Sequence, residues 1–278
     1  MSEQMVQTSL RSLLVRDTDP GAARPTALLW HSLFVDDRSW ERVEPALAHD
    51  RRLVVVTGPG HGASGDPGHR YTLEDCADAA VAVLETIGVE GPVDWVGNAW
   101  GGHVGIVLAA RRPDLVRTLV AAGTPVHAYT RRGRMQTQLL LALYRVLGPV
   151  RFLVDAVSDA LLSEHTRERD ADAVALVRDA FASADRRGLA NAVVSISLHR
   201  QDLAPALSSI KAPTLFITGR DHPDWSPEQA RAAAMLLPQG SAVALDGAAY
   251  LVPLEKPLEF VRMVHEFWAE HAAHVVSP

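Results

Sequence analysis

Apolar residues along this chain follow two rhythms. Short unbroken runs such as "TALLWH" (26–31) and "RRLVVVTG" (51–58) end in turn residues, the pattern of strands buried on both faces. Longer stretches repeat their apolar positions every three to four residues, as in "TLEDCADAAVAVLETIG" (72–88), where Gly88 predicts a helix C-terminus. The two rhythms alternate. "GPVDWVGN" (91–98) predicts a strand, "WGGHVGIVLAARRP" (100–113) a helix closed by Pro113, and "LVRTLVAAGTP" (115–125) a further strand. Strand–helix alternation of this kind predicts a mostly parallel sheet flanked by helices, an α/β fold.

The rhythm changes from about His127 to Ser208, where helical periods follow one another: "RGRMQTQLLLALYRVLG", "VRFLVDAVSDALL", "ADAVALVRDAFASA" and "LANAVVSISLHRQDL". Alternation then returns with "APTLFITG", "SPEQARAAAMLLP", "SAVALDG" and "PLEFVRMVHEFWAEH". The predicted organisation is therefore a core of residues 1–125 and 209–278 interrupted by a helical lid at 126–208. A lid in that place covers the end of the sheet where open parallel sheets bind ligands. The apolar residues of "QTQLLLALYRVLG" predict an apolar inner lid face, and the final "HAAHVVSP" is expected to fray.

Composition narrows the function classes. The 278 residues are 47% hydrophobic and 22% charged, ordinary for a globular chain long enough for one large α/β domain. The net charge is −6 with no basic tract, which argues against nucleic-acid binding. No apolar run is long enough to span a membrane, and the N-terminus lacks the pattern of a signal peptide, so a cytoplasmic protein is expected. The only lysines are Lys211 and Lys256 against many arginines, a bias that suggests a GC-rich bacterial source. The single cysteine, Cys76, cannot form a disulfide within the chain and reads as a small buried side chain. The twelve histidines form no metal-ligand cluster and "GPGHGASG" lacks the Lys-Ser/Thr ending of a phosphate loop, so no cofactor is expected. Oligomeric state is not legible.

Four stretches, in order, carry a family resemblance. "DWVGNAWGGHVGIVLA" has the strand, Gly-flanked turn and helix of a nucleophile elbow. "LLWHSLFVDDRSW" resembles a His-Gly oxyanion loop, "VVVTGPGHGASG" resembles an Asp-x-x-Gly-x-Gly-x-Ser segment with Thr57 in place of Asp, and "LEKPLEFVRMVHEFW" resembles the last helix after the histidine loop. Together they resemble the α/β-hydrolase superfamily from about residue 25 to 270.

The resemblance implies a nucleophile, an acid and a histidine in that chain order. Here Ala99 stands in the nucleophile slot of Gly97-Asn98-Ala99-Trp100-Gly101, His222 in the acid slot of "GRDHP", and Tyr250 in the histidine slot of "GAAYLVPLEKP". Asp221, one residue early, is a lower-ranked acid. A methyl group cannot attack a carbonyl, and a phenol is a poor base near neutrality. A serine replaced at Ala99 alone would leave His222 and Tyr250 unexplained. One expectation is that His222 and Tyr250 form a hydrogen-bonded pair facing the pocket, with His222 titrating near neutrality; the other, slightly favoured, is that Tyr250 fills vacated space and His222 faces solvent.

The resemblance also implies that the backbone amides of Leu33 and Trp100 form an oxyanion hole, with His31 holding its loop and Ser32 beside it. Trp100 resembles the tryptophan of an Asp-Trp pair in epoxide hydrolases and haloalkane dehalogenases, and would wall an apolar pocket. Trp225 is read as a pocket or surface residue, His103 as packed, and Asp36 and Asp37 as a solvated turn. Three functions stay open. One is an enzyme using non-nucleophilic chemistry on a small, largely apolar substrate (lyase, isomerase, cyclase or water-activating hydrolase). Another is a catalytically silent ligand-binding protein. The third is an ester or lactone hydrolase whose nucleophile is replaced by Ala99.

Overall fold

The computed structural model describes residues 2–272. Its sheet has eight strands: β1 (Ser2–Thr8), β2 (Arg11–Asp17), β3 (Thr26–Trp30), β4 (Arg52–Val56), β5 (Val93–Asn98), β6 (Val116–Ala122), β7 (Thr214–Gly219) and β8 (Gly240–Leu245). They lie in the order β1-β2-β4-β3-β5-β6-β7-β8. β1–β2 and β2–β4 pair antiparallel, and every other neighbouring pair is parallel. β3, β4, β5 and β7 are buried along their whole length. That is why their sequences read as unbroken apolar runs: helices cover both faces of the sheet.

The sequence pattern did not predict β1 and β2. Each carries only two or three apolar residues among polar ones, and β1 is an edge of the sheet with most of its side chains exposed. A half-exposed edge strand carries too few apolar positions to stand out from a loop. Arg11, at the hairpin turn, has φ +72°.

The helix Leu73–Thr86 begins with a reciprocal capping box in which Thr72 and Asp75 satisfy each other's backbone amides. Cys76 on it is fully buried. Helix Trp100–Arg111 follows β5 directly and is buried from Trp100 through Ala109. No residue from 123 to 213 is in a strand. That stretch, between β6 and β7, holds the helices Arg131–Leu147, Arg151–Leu161, Glu164–Arg169, Ala171–Ser183 and Arg186–Ala192, then a π-helical turn at Val193–Leu198. In Arg131–Leu147 only Leu141 and Tyr144 are buried, while Met135, Leu139, Val146 and Leu147 are exposed. The apolar positions of that helix are thus split between inside and outside. The fraying expected at the C-terminus concerns residues 273–278, which lie outside the described residues.

Candidate active site

At the end of β5 the chain turns into helix Trp100–Arg111 with no intervening loop. The turn forces Ala99 to φ +47°, ψ −100°, a conformation that strains any residue with a Cβ. Its neighbours must be glycine. A Cβ on Gly97 would stand 2.2 Å from the Gly101 carbonyl carbon, one on Gly101 1.9 Å from the Trp30 carbonyl oxygen, and one on Gly102 2.0 Å from Thr124 Oγ1. The Ala99 amide donates to the Ala122 carbonyl at 2.8 Å, which ties the elbow to β6. The geometry that would present a nucleophile is therefore complete, with a methyl group at its tip.

The loop with the resemblance to an oxyanion loop follows β3. His31 is fully buried; its Nε2 accepts the Gly58 amide at 2.8 Å and its Nδ1–H donates to the Ser32 carbonyl at 2.7 Å. Both nitrogens are used for loop geometry, and burial lowers its pKa, keeping it neutral. The Gly101 amide donates to the His31 carbonyl at 3.2 Å, which brings the loop carrying Ser32 and Leu33 against the elbow. Trp100 opens its helix, so its amide has no acceptor within that helix.

The Trp100 indole does not wall the pocket. It is 1% exposed, packed edge-on against Trp30 and His31 and tilted against His61, with Gly58 over its ring. Gly58 leaves room for a ring that points into the core. Trp225 is neither a pocket nor a surface residue: it is fully buried against Phe216 and near His127. Asp36 and Asp37 are not a solvated turn. They are buried, Asp36 pairing with Arg38 at 2.8 Å and Asp37 with Arg16 at 2.8 Å. Thr57, in the position usual for Asp, donates its hydroxyl to Asp37 at 2.8 Å.

Across from the elbow lie the loops after β7 and β8. His222 is buried at 4% exposure, so it does not face solvent. Its ring lies 3.7 Å, centroid to centroid, from that of Tyr250. The two rings touch at a tilt of 39° and do not hydrogen-bond. The Tyr250 hydroxyl instead donates to Asp224 Oδ2 at 2.5 Å. His222 Nδ1 accepts the Asp224 amide at 3.1 Å, which makes Nε2 the protonated nitrogen of the neutral ring. That Nε2 is buried and closes no hydrogen bond, although the Gly123 carbonyl is near. Burial outweighs the pull of Asp224 and lowers the His222 pKa to about 4, so His222 is neutral rather than titrating near neutrality. Burial, reinforced by the Asp224 carboxylate, raises the Tyr250 pKa above the ordinary phenol value. The phenol is held as a proton donor.

Asp221 is exposed and lines a surface groove of about 780 Å³ with Asp159, His165 and Glu168. Asp224, which the motif alignment passed over, supplies the carboxylate to Tyr250. Pro223 sits between the acid slot and Asp224, so the carboxylate falls two residues late. A search for an acid at any spacing after β7 would have found it.

Two further side chains hold this half of the site. Asn98 Nδ2 donates to the Tyr250 carbonyl at 2.8 Å and to the Ala122 carbonyl at 3.1 Å, joining elbow and histidine loop. Glu255 Oε1 accepts the amides of Ala249 and Leu251, while its Oε2 accepts the Ser163 amide and the Thr166 hydroxyl. One buried carboxylate thus fixes the Tyr250 loop to the helical insertion. His103, packed against the Pro125 carbonyl, and Arg200 complete the surroundings. Among the described residues, no group of three or more His, Cys, Asp or Glu is placed to hold a metal ion, and no helix is long and apolar enough to cross a membrane.

The profile of the Alpha/beta hydrolase family matches residues 27–263. The chain is 27% identical over 249 residues to a pyrrolizixenacetamide deacetylase from Xenorhabdus hominickii, covering 87% of this chain and 90% of that one. Its fold is similar to an enol-lactonase from Burkholderia xenovorans LB400 (TM-score 0.85, 26% identity, 93% and 96% of the two chains). It is also similar to a thermophilic esterase from Thermogutta terrifontis (TM-score 0.88, 23% identity, 98% and 99%). With the elbow after β5 and the loops after β3, β7 and β8 converging at the C-terminal end of a mostly parallel sheet, this chain belongs to the α/β-hydrolase family.

Proposed function

We propose that this chain is an enzyme that uses the hydrolase pocket for proton-transfer chemistry on a small, largely apolar carbonyl compound, without a serine nucleophile. The observation that carries this reading is the Tyr250–Asp224 hydrogen bond at 2.5 Å beside an elbow that keeps its strained geometry. The amides of Leu33 and Trp100 would receive the carbonyl oxygen as negative charge builds on it. Asp224 would take a proton from the carbon beside the carbonyl through Tyr250, whose hydroxyl accepts that proton as it passes its own to Asp224, and the reverse relay would return a proton to a carbon or to a leaving oxygen, as in an isomerase or lyase step. The helices of residues 126–208 would act as the lid, excluding water from that step.

The relatives include a deacetylase, an enol-lactonase and an esterase. Their names favour a carbonyl-bearing substrate and say nothing of how Ala99 would act on one. A second reading, a silent ligand-binding protein, is favoured by that methyl group at the elbow tip.

The test is proton NMR in D2O on a panel of enol lactones and oxo acids, beside hydrolysis of p-nitrophenyl acetate. Loss of the signal next to a carbonyl should be at least tenfold faster than in buffer. Tyr250→Phe should slow it by roughly 10²-fold or more, the usual weight of a general acid. Ester turnover by the parent would overturn the reading in favour of hydrolysis, and silence across the panel in favour of the binding protein.

A further inference from the structure

The guanidinium of Arg200 is an unmatched charge inside the protein. It follows the π-helical turn Val193–Leu198, a type of turn found frequently at functional sites. Arg200 is 9% exposed, yet none of the ion pairs among the described residues includes it. Its Nη2 donates to the His127 carbonyl at 2.6 Å, and it lies over the Tyr129 ring at 5.1 Å. Nε is buried with no acceptor.

The remaining contact cannot be satisfied. Nη1 lies 3.1 Å from His103 Nε2, and that same nitrogen lies 2.8 Å from the Pro125 carbonyl oxygen. If Nε2 carries the proton, it donates to Pro125 and has nothing to offer a cation. If Nε2 is bare, it accepts from Arg200 but faces the Pro125 oxygen lone pairs, and His103 Nδ1–H is left buried without a partner. Asp202 and Asp224 attract Arg200 from further off; Asp202 is 3.7 Å from His127, and Asp224 is engaged by Tyr250. A buried cation without a counter-ion is costly, and strongly perturbed ionisable groups cluster at functional sites.

We propose that Arg200, with Tyr129 and His103 around it, is an anion-binding subsite that takes the carboxylate of a small carboxylic acid ligand. His103 belongs to the elbow helix, and its amide donates to the Ala99 carbonyl at 3.0 Å. His103, which Arg200 touches, therefore stands roughly one helical turn, about 5 Å, along the helix from the elbow. The ligand is an apolar body with an acid at one end, its other end toward Ala99. This rests on the reading that the ligand occupies the space at the elbow. Charge-assisted pairing with a carboxylate gives Nε–H the acceptor it lacks.

Calorimetric titration of the full chain with benzoate and with benzamide tests the subsite. Benzoate should bind at least tenfold more tightly than its neutral isostere. Arg200→Met should lose that preference while melting at the same or a higher temperature, because an unpaired buried charge has been removed. Arg200→Lys should keep part of it. Equal affinity for the two probes, or a preference that survives Arg200→Met, overturns the proposal. So does a lower melting temperature in both Arg200→Met and Arg200→Lys with no benzoate preference in either, which makes Arg200 a structural residue. If benzoate binds through Arg200 while no carbonyl compound turns over, the catalytic reading falls and the subsite stands. If a carbonyl compound turns over and benzoate does not bind, the subsite falls alone.

Discussion

At the elbow, backbone holds backbone; in the loops that face it, side chains do the holding. Gly97, Gly101 and Gly102 sit where any Cβ would meet the carbonyl groups of Gly101 and Trp30 or the Thr124 side chain at 1.9–2.2 Å. Nothing there depends on whether position 99 bears a hydroxyl. Across the site, Asn98, Asp224 and Glu255 fix the Tyr250 loop through hydrogen bonds that a single substitution can remove. The first region tolerates a change of chemistry with no change of shape. In the second, chemistry and shape are the same contacts.

The largest effect expected on that contrast is Gly101→Ala. Its Cβ meets a backbone oxygen that cannot move without displacing β3, so a loss of about 3 kcal/mol or more is expected in urea unfolding. Normal stability in that variant would show that the elbow is looser than its contacts imply.

Next is the response of the facing loops to acid. Folded His222 has its pKa lowered to about 4 from the ordinary 6.5. Between those values the unfolded chain binds a proton that the folded chain does not, so stability is full above about pH 6.5 and falls as pH drops toward 4. His61, buried with both ring nitrogens toward carbonyls, is lowered to about 4 and acts in the same window. Each contributes on the order of 2–3 kcal/mol to the acid loss. Thermal melts from pH 7 to 4.5 should show it, with a shallower slope in His222→Gln. An unchanged slope would place His222 in contact with water.

A smaller effect of opposite sign is expected for Ala99→Gly. Glycine relieves the strain of φ +47°, which exceeds the extra entropy it adds to the unfolded chain, for a net gain of about 1 kcal/mol. A loss would mean that the Ala99 methyl packs against something that matters. Smallest is Asp221→Asn. The side chain is exposed in a surface groove, so stability should change by less than about 0.5 kcal/mol, and proton exchange not at all. Lost activity would make Asp221 part of the site.

How much of this was legible follows from what each feature depends on. β3, β4, β5 and β7 were readable because burial along their whole length demands unbroken apolar runs. β1 and β2 were not, because an exposed edge hairpin lacks that demand. Ala99, His222 and Tyr250 stand out in the sequence because glycines and prolines frame them at regular spacing. Asp224 was missed because motif spacing assumes a fixed loop length, and the indole of Trp100 was misplaced because a motif says nothing about which way a ring turns. Arg200 gave no sequence signal, since its meaning lies in what does not surround it.

Residue type and spacing alone carried the layered α/β architecture, the place of the helical insertion and the alanine at the tip of the elbow. Each depends on residue type and local spacing, which the chain carries without folding. Only the tertiary structure decided that Tyr250 turns to Asp224 rather than to His222, that Trp100 and Trp225 enter the core, and that Arg200 is buried without a counter-ion. Those outcomes depend on which distant segments meet and on how burial weighs each charge, and neither quantity exists until the loops after β3, β5, β6, β7 and β8 converge.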